Sequence, residues 1–108
     1  YPERYTTVMN TLFKTDAFAG WFRALKDPIG KARIAARLTS AQHGNFGDHK
    51  AVGGGVWEMR VDAGPGYRLY YARRENTLYV LLLGGDKSSQ TSDIKKAQHL
   101  WNAIREAS

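Results

Sequence analysis

Apolar side chains recur along this chain with two different periods, and the places where the period changes divide it into elements. Thr6 to Leu12 is short, partly β-branched and follows Pro2, which predicts a first strand. Asp16 is placed to cap a helix in which Phe18, Trp21, Phe22 and Leu25 recur at i, i+3, i+4 and i+7, the apolar stripe of an amphipathic helix packed on a core. Asp27-Pro28 supplies an N-cap followed by proline at the first helical position. The second helix it opens runs to about Gln42, with Ile29, Ala32, Ile34 and Leu38 on its apolar side. Arg33 and Arg37 lie four apart on one face of that helix and form a small basic ridge, with Lys31 on another side.

The helical period then stops. His43-Gly44-Asn45-Phe46-Gly47-Asp48-His49-Lys50, continued by Gly53-Gly54-Gly55, reads as one long glycine-rich loop. Beyond it the period becomes two. Val56 to Val61, Tyr67 to Arg73 and Leu78 to Leu83 stand at hairpin spacing, separated by Ala63-Gly64-Pro65-Gly66 and by Glu75-Asn76, and predict an antiparallel meander. The third run is apolar on both faces, as an interior strand is. Gly84-Gly85-Asp86-Lys87-Ser88-Ser89 leads out of the sheet. From about Thr91 a third helix begins, with Ile94, Ala97, Trp101 and Ile104 spaced for burial. The prediction is an α+β chain with no repeat.

A length of 108 residues with 43% hydrophobic content supports a single domain over 1–108 and is too apolar for a disordered tail. Sixteen Lys and Arg against ten Asp and Glu give +6, with a pI near 9.8, which points to a polyanionic partner. The excess sits in the first 42 residues, with seven basic and three acidic groups. The absence of cysteine excludes a disulfide framework, a thiol nucleophile and a cysteine metal site, and cytosol is the expected compartment. Leu78 to Leu83 falls far short of the ~20 apolar residues of a membrane-spanning helix, and no secretory signal precedes it. Because Tyr1 is not a methionine, a few native residues are expected before it.

Strand alternation says where side chains aim. Trp57, Met59 and Val61 share one face and Glu58 and Arg60 the other; in the next strand Arg68, Tyr70 and Ala72 oppose Tyr67, Leu69 and Tyr71. With the core claiming the apolar sets, an in-register hairpin puts Arg60 and Arg68 together on an open face, and the loop after the last strand delivers Lys87 to them. Converging cations beside aromatics suit a phosphodiester of a nucleic acid. The alternative is that Arg60 pairs with Glu58 or Asp62 and Arg68 is a solvated strand residue. His43, Asp48 and His49 match no common zinc spacing and read as solvated loop residues. Gly53-Gly54-Gly55 lacks the context of a dinucleotide loop or a P-loop. Trp21, Trp57 and Trp101 read as core, and at least one of Tyr67, Tyr70 and Tyr71 as buried.

The order and spacing of several short motifs carry a resemblance. These are Gly44-Asn45-Phe46-Gly47-Asp48, Val52-Gly53-Gly54-Gly55-Val56, Glu58-Met59-Arg60, Gly64-Pro65-Gly66-Tyr67-Arg68 and Gly84-Gly85-Asp86-Lys87-Ser88-Ser89-Gln90, together with the Phe18 to Leu25 helix. In them the chain resembles bacterial toxins of the RelE/ParE superfamily, in the HigB-like "addiction module killer protein" group of type II toxin–antitoxin systems. The resemblance implies an N-terminal strand, a helical hairpin, a three-stranded antiparallel meander and a C-terminal helix.

For function it implies a toxin that inhibits translation by cutting messenger RNA in the ribosomal A site, without metal or other cofactor, through attack of a ribose 2′-hydroxyl on the adjacent phosphate. Arg68 matches the family's Gly-Tyr-Arg strand and Lys87 the basic position after the last strand, so both fall to transition-state stabilisation. Arg60 follows them, and Lys50 matches a basic position on the RNA-facing loop. Arg33 and Arg37 are candidates for ribosomal RNA contact, or a solvated ridge. The chain departs from several relatives where they carry a tyrosine or histidine after the last strand; here that stretch reads Ser88-Ser89-Gln90-Thr91-Ser92. Tyr70 or His49 is the expected substitute for proton transfer. The implied partners are the ribosome, messenger RNA and a cognate helix-turn-helix antitoxin, whose complex with the toxin binds operator DNA. Exposed edge strands leave room for β-augmentation. Two rivals stand beside the nuclease: a non-enzymatic ParE-like inhibitor of DNA gyrase, and a toxin-derived fold that only binds its partner and DNA.

Overall fold

The computed structural model describes residues 9–107. In chain order it contains β1 (Thr11–Lys14), α1 (Asp16–Ala24), α2 (Pro28–Gln42), β2 (His49–Gly53), β3 (Val56–Val61), β4 (Tyr67–Glu75), β5 (Leu78–Asp86), a 3-10 turn (Lys87–Ser89) and α3 (Gln90–Glu106). The strands form one sheet in the order β1-β5-β4-β3-β2, with β1 parallel to β5 and the other pairs antiparallel. The expected meander is present as β3-β4-β5. The apolar run of β5 is explained by its position between β1 and β4, where both of its faces are covered.

Three sequence expectations need correction. The sheet has five strands: His49–Gly53, expected as loop, pairs with β3, and the glycines after it turn one strand into the other. The first strand is Thr11–Lys14, and the 6–8 part of the expected strand lies outside the described residues. The face bearing Arg60 and Arg68 is not open, because α3 packs Ala97 and Trp101 onto Val56, Tyr70, Ala72, Val80 and Leu82 there. On the opposite face α1 and α2 bury Phe18, Ile34, Leu38 and Ala41 against Met59, Val61, Tyr67, Leu69, Tyr71 and Leu81. In α2 the buried positions are Gly30, Ile34, Leu38 and Ala41, while Ile29 is 70% exposed.

The helix starts follow their caps. Thr15, one residue before the expected Asp16, accepts from the Phe18 N–H at 3.1 Å, and its hydroxyl donates to the Leu82 carbonyl at 2.9 Å, which ties α1 to β5. Asp27 accepts from the Gly30 N–H at 3.0 Å, with Pro28 opening α2 as expected. Gly84 and Gly85, expected beyond the sheet, lie within β5. They are glycines for want of room: a methyl at Gly84 would meet the Trp21 ring at 2.1 Å, and one at Gly85 would meet Asp93 Oδ2 at 1.9 Å. Gly85→Ala is therefore expected to destabilise the chain by about 1–3 kcal/mol through overpacking, read as a lower urea midpoint.

Candidate functional site

The hairpin register brings the predicted cations together. Arg60 in β3 lies directly opposite Arg68 in β4, and Arg68 in turn lies opposite Gly85 in β5. As the last residue of β5, Asp86 caps the 3-10 turn, accepting from Ser88 N–H at 2.8 Å and from the Ser88 hydroxyl at 2.5 Å. Those two hydrogen bonds hold the Asp86 carboxyl below its usual value and fix the turn that presents Lys87. Arg60, Arg68 and Lys87 line a cleft of about 480 Å³ together with Arg37, Asp48, Asp62 and the Gly64-Pro65-Gly66 turn. Four cations thus face two carboxylates across one concave surface.

These cations are not equally committed. Arg37 Nη1 donates to the Arg60 carbonyl at 2.7 Å, and its guanidinium lies against Gly47, where a side-chain carbon would come within 2.6 Å. Arg60 Nε is held at 3.1 Å by Glu58, whose fully buried carboxylate also accepts from Gln90 Nε2 at 2.8 Å. The Arg60–Glu58 pairing of the sequence alternative is present and fixes Arg60 on the cleft wall, but the other half of that alternative fails, because Arg68 is partly buried rather than solvated. Arg68 Nε is buried without a hydrogen-bond partner among the described residues, and Lys87 is exposed. Arg68 and Lys87 are the cations left for a ligand.

Other candidates fall elsewhere. Tyr70 shares the Arg68 face as alternation requires, yet it is fully buried under α3 and does not line the cleft. Burial and the Glu58 charge hold its phenol far above its usual value. His49 lies in β2, donates from Nδ1 to the Gly47 carbonyl at 2.7 Å and lines a neighbouring aromatic groove. Lys50 sits exposed opposite Glu58, outside the cleft wall. Of the basic ridge, Arg33 donates to the Asp62 carbonyl at 3.3 Å and Arg37 enters the cleft. Sequence reasoning missed Asp48 and Asp62 as cleft residues. Their signal was position: each flanks an element end that the Arg60–Arg68 register brings to the same edge. Trp57, expected as core, is 39% exposed, whereas Tyr67, Tyr70 and Tyr71 are all buried.

Next to the cleft, one bond ties the N-cap of α2 to β4. The Tyr67 hydroxyl donates to Asp27 Oδ2 at 2.7 Å, adjacent in sequence to Arg68. The Gly30 N–H and the Tyr67 hydroxyl hold the Asp27 carboxyl below 3.8, and donation to Asp27 holds the Tyr67 phenol above 10. A lowered carboxyl contributes stability above its unfolded value that is lost as pH falls through the native one. A raised phenol contributes stability below pH 10 that is lost as pH rises. The urea midpoint is expected to decline at both extremes, and Asp27→Asn to start lower at neutral pH with shallower acid and alkaline limbs.

Residues 20–102 match the family model of phage-derived Gp49-like proteins (DUF891). An uncharacterized protein of Haemophilus influenzae is 48% identical over 86 residues, covering 80% of this chain and 87% of its own. A shorter stretch of 55 residues, half of this chain, is 44% identical to a quarter of the large ribosomal subunit protein uL3 of Pseudomonas putida. In structure the chain is similar to a mutant of the E. coli toxin RelE in the free state, at a TM-score of 0.66 and 15% identity, over 83% of this chain and 94% of that one. No described helix is long and apolar enough to cross a membrane. The family match over residues 20–102 and the likeness in structure lead to one conclusion: the chain belongs to the phage-derived Gp49-like family and carries the fold of RelE.

Proposed function

We propose that this protein is a toxin of a type II toxin–antitoxin module, HigB-like in its motifs, that inhibits translation in the cytoplasm by cutting messenger RNA on the ribosome. The observation that carries the reading is the gathering of Arg37, Arg60, Arg68 and Lys87 around one cleft of a size to hold a nucleotide's phosphate and sugar. In this scheme the ribose 2′-hydroxyl attacks the adjacent phosphorus and the bond to the 5′-oxygen breaks, leaving a 2′,3′-cyclic phosphate and a 5′-hydroxyl. The reaction adds charge to the phosphorane, and fixed cations in a concave site stabilise it more than water does. Arg68 and Lys87 take that role, with Arg60 and Arg37 orienting the phosphate. The carboxylates of Asp48 and Asp62 stand on the cleft wall to accept the 2′ proton, and solvent protonates the 5′-oxygen. A cognate antitoxin of helix-turn-helix type is the partner that restrains it, and the edge strands β1 and β2 offer backbone for such a partner.

A second reading is favoured by one feature: no tyrosine or histidine lines the cleft among the described residues. It makes the protein a non-enzymatic inhibitor of DNA gyrase. Inducing the wild type and the Arg68→Ala, Lys87→Ala double variant in cells, then mapping messenger RNA 5′ ends, separates the two. New in-frame ends with the wild type and none with the folded variant support the nuclease. Growth arrest with DNA damage and no new ends supports gyrase.

A further inference from the structure

A second concave surface lies beside the cation cleft. Phe46, His49, Trp57, Tyr71, Arg73 and Tyr79 enclose a groove of about 270 Å³. Its rings are already ordered against one another. Phe46 stacks on Tyr71 at 5.1 Å and 12° and tilts onto Tyr79 at 4.9 Å, and His49 stands 5.7 Å from Trp57. His49 and Trp57 form its exposed rim, Trp57 with 39% of its surface in water. A tryptophan left this open on a strand with buried residues on both faces is not needed by the core beneath it, which closes on Met59 and Tyr71.

The groove and the cleft have one short segment as a common boundary. The segment 46–49 is the wall between them: Phe46 and His49 line the groove, Gly47 packs on Arg37, and Asp48 lines the cleft. At the far side Trp57 and Arg73 also line a depression that holds Arg74 beside Glu75. The aromatic floor thus has cations near both ends, beside Asp48 at one and Glu75 at the other, and none of its own six lining residues is acidic. Cations tracking a backbone with exposed aromatic planes between them is the arrangement that binds single-stranded nucleic acid. A volume just under the ~300 Å³ at which sites for larger organic ligands begin suits one heterocycle.

We infer that this groove stacks an unpaired base of the RNA strand whose phosphate occupies the cation cleft, with Trp57 and His49 as the planes that receive it. The inference rests on the proposed RNA reading and adds a base subsite to it. Trp57 closes on the base from the β3 side, and Arg73 at the rim meets the next phosphate.

The test uses the full chain and a short fluorescein-labelled single-stranded RNA of mixed sequence carrying 4-thiouridine. Trp57→Ala is expected to weaken binding by about tenfold or more, and Trp57→Phe to retain most of it. Arg68→Ala is expected to weaken binding with a shallower salt dependence. In the wild type, photocrosslinks are expected on peptides containing Phe46, His49 or Trp57, a readout that does not depend on how any variant folds. Binding by Trp57→Ala equal to that of the wild type, crosslinks confined to other peptides, or no binding by the wild type overturns the inference. If the groove binds and crosslinks RNA while no new 5′ ends arise in cells, the nuclease reading fails and the base subsite stands.

Discussion

Truncating Arg68 to alanine is expected to slow cleavage on programmed ribosomes by about 10²- to 10³-fold, the usual cost of deleting one preorganised charge or donor aimed at a transition state. The same change is expected to leave the urea midpoint unchanged or raised. Arg68 Nε is buried without a partner among the described residues, and an unsatisfied buried donor costs about 1–3 kcal/mol. Removing it relieves that cost, which is the outcome expected if, as proposed, Arg68 is kept for a ligand at the expense of stability. Lysine at this position is expected to restore little, because it lacks the planar fork of donors that a phosphate accepts from arginine. Lys87→Ala alone is expected to be milder and more salt-dependent, since Lys87 is exposed on a short turn. If both cations meet one phosphate, the double variant loses less than the product of the single losses. Cleavage by Arg68→Ala within about tenfold of wild type, measured in single turnover, overturns the assignment.

Periodicity located the helices and the meander because each is decided by its own side chains, although Ile29 and Ala32, read onto the apolar side of α2, are exposed. Phe18, Trp21 and Phe22 repeat with the helical period, and Asp27-Pro28 is a local stop-and-start signal that needs no tertiary context. The strand His49–Gly53 escaped notice for the opposite reason. Its residues are all exposed or half-buried, so no apolar alternation marks it, and what makes it a strand is hydrogen bonding to β3 across a glycine turn. The burial of Tyr70 was missed because alternation assigns a residue to a face without saying whether another element covers that face. Here α3 does, delivering Ala97 and Trp101 from more than twenty residues away in sequence.

The site was legible where it depends on register and illegible where it depends on reach. Pairing Arg60 with Arg68 requires only that β3 and β4 meet in phase across the Gly-Pro-Gly turn, and strand alternation fixes that. Arg37 enters the cleft because α2 crosses the end of β3 and because Gly47 leaves space for a guanidinium, two facts absent from the spacing of either segment. The Glu58 carboxylate illustrates the same limit. Its neighbour in sequence, Arg60, was a visible partner, whereas Gln90 arrives from the first turn of α3.

Phe18→Ala is expected to cost about 3–5 kcal/mol, a large part of the roughly 5–15 kcal/mol that holds a domain of this size together. Helix α1 has nine residues, too few to persist on propensity alone, so its stability comes from what it buries. Phe18 is its one fully buried side chain, with Phe22 stacked 6.5 Å away and Trp21 tilted at 5.7 Å. The neighbours cannot collapse onto the lost volume easily, since Thr15 ties the start of the helix to the Leu82 carbonyl and Trp21 is seated on Gly84. The melting temperature is expected to drop by well over ten degrees, at about 4–8 °C per kcal/mol. Phe18 lines no part of the cation cleft, so cleavage per folded molecule, assayed at low temperature, is expected to match wild type. Arg68→Ala and Phe18→Ala would then fail in opposite ways, one folded and inactive, the other active and unstable. A loss of specific activity in Phe18→Ala beyond its unfolded fraction would instead mean that α1 holds the cleft, by way of Trp21 against Gly84 and Tyr67, and that the sheet end carrying Lys87 is not rigid by itself.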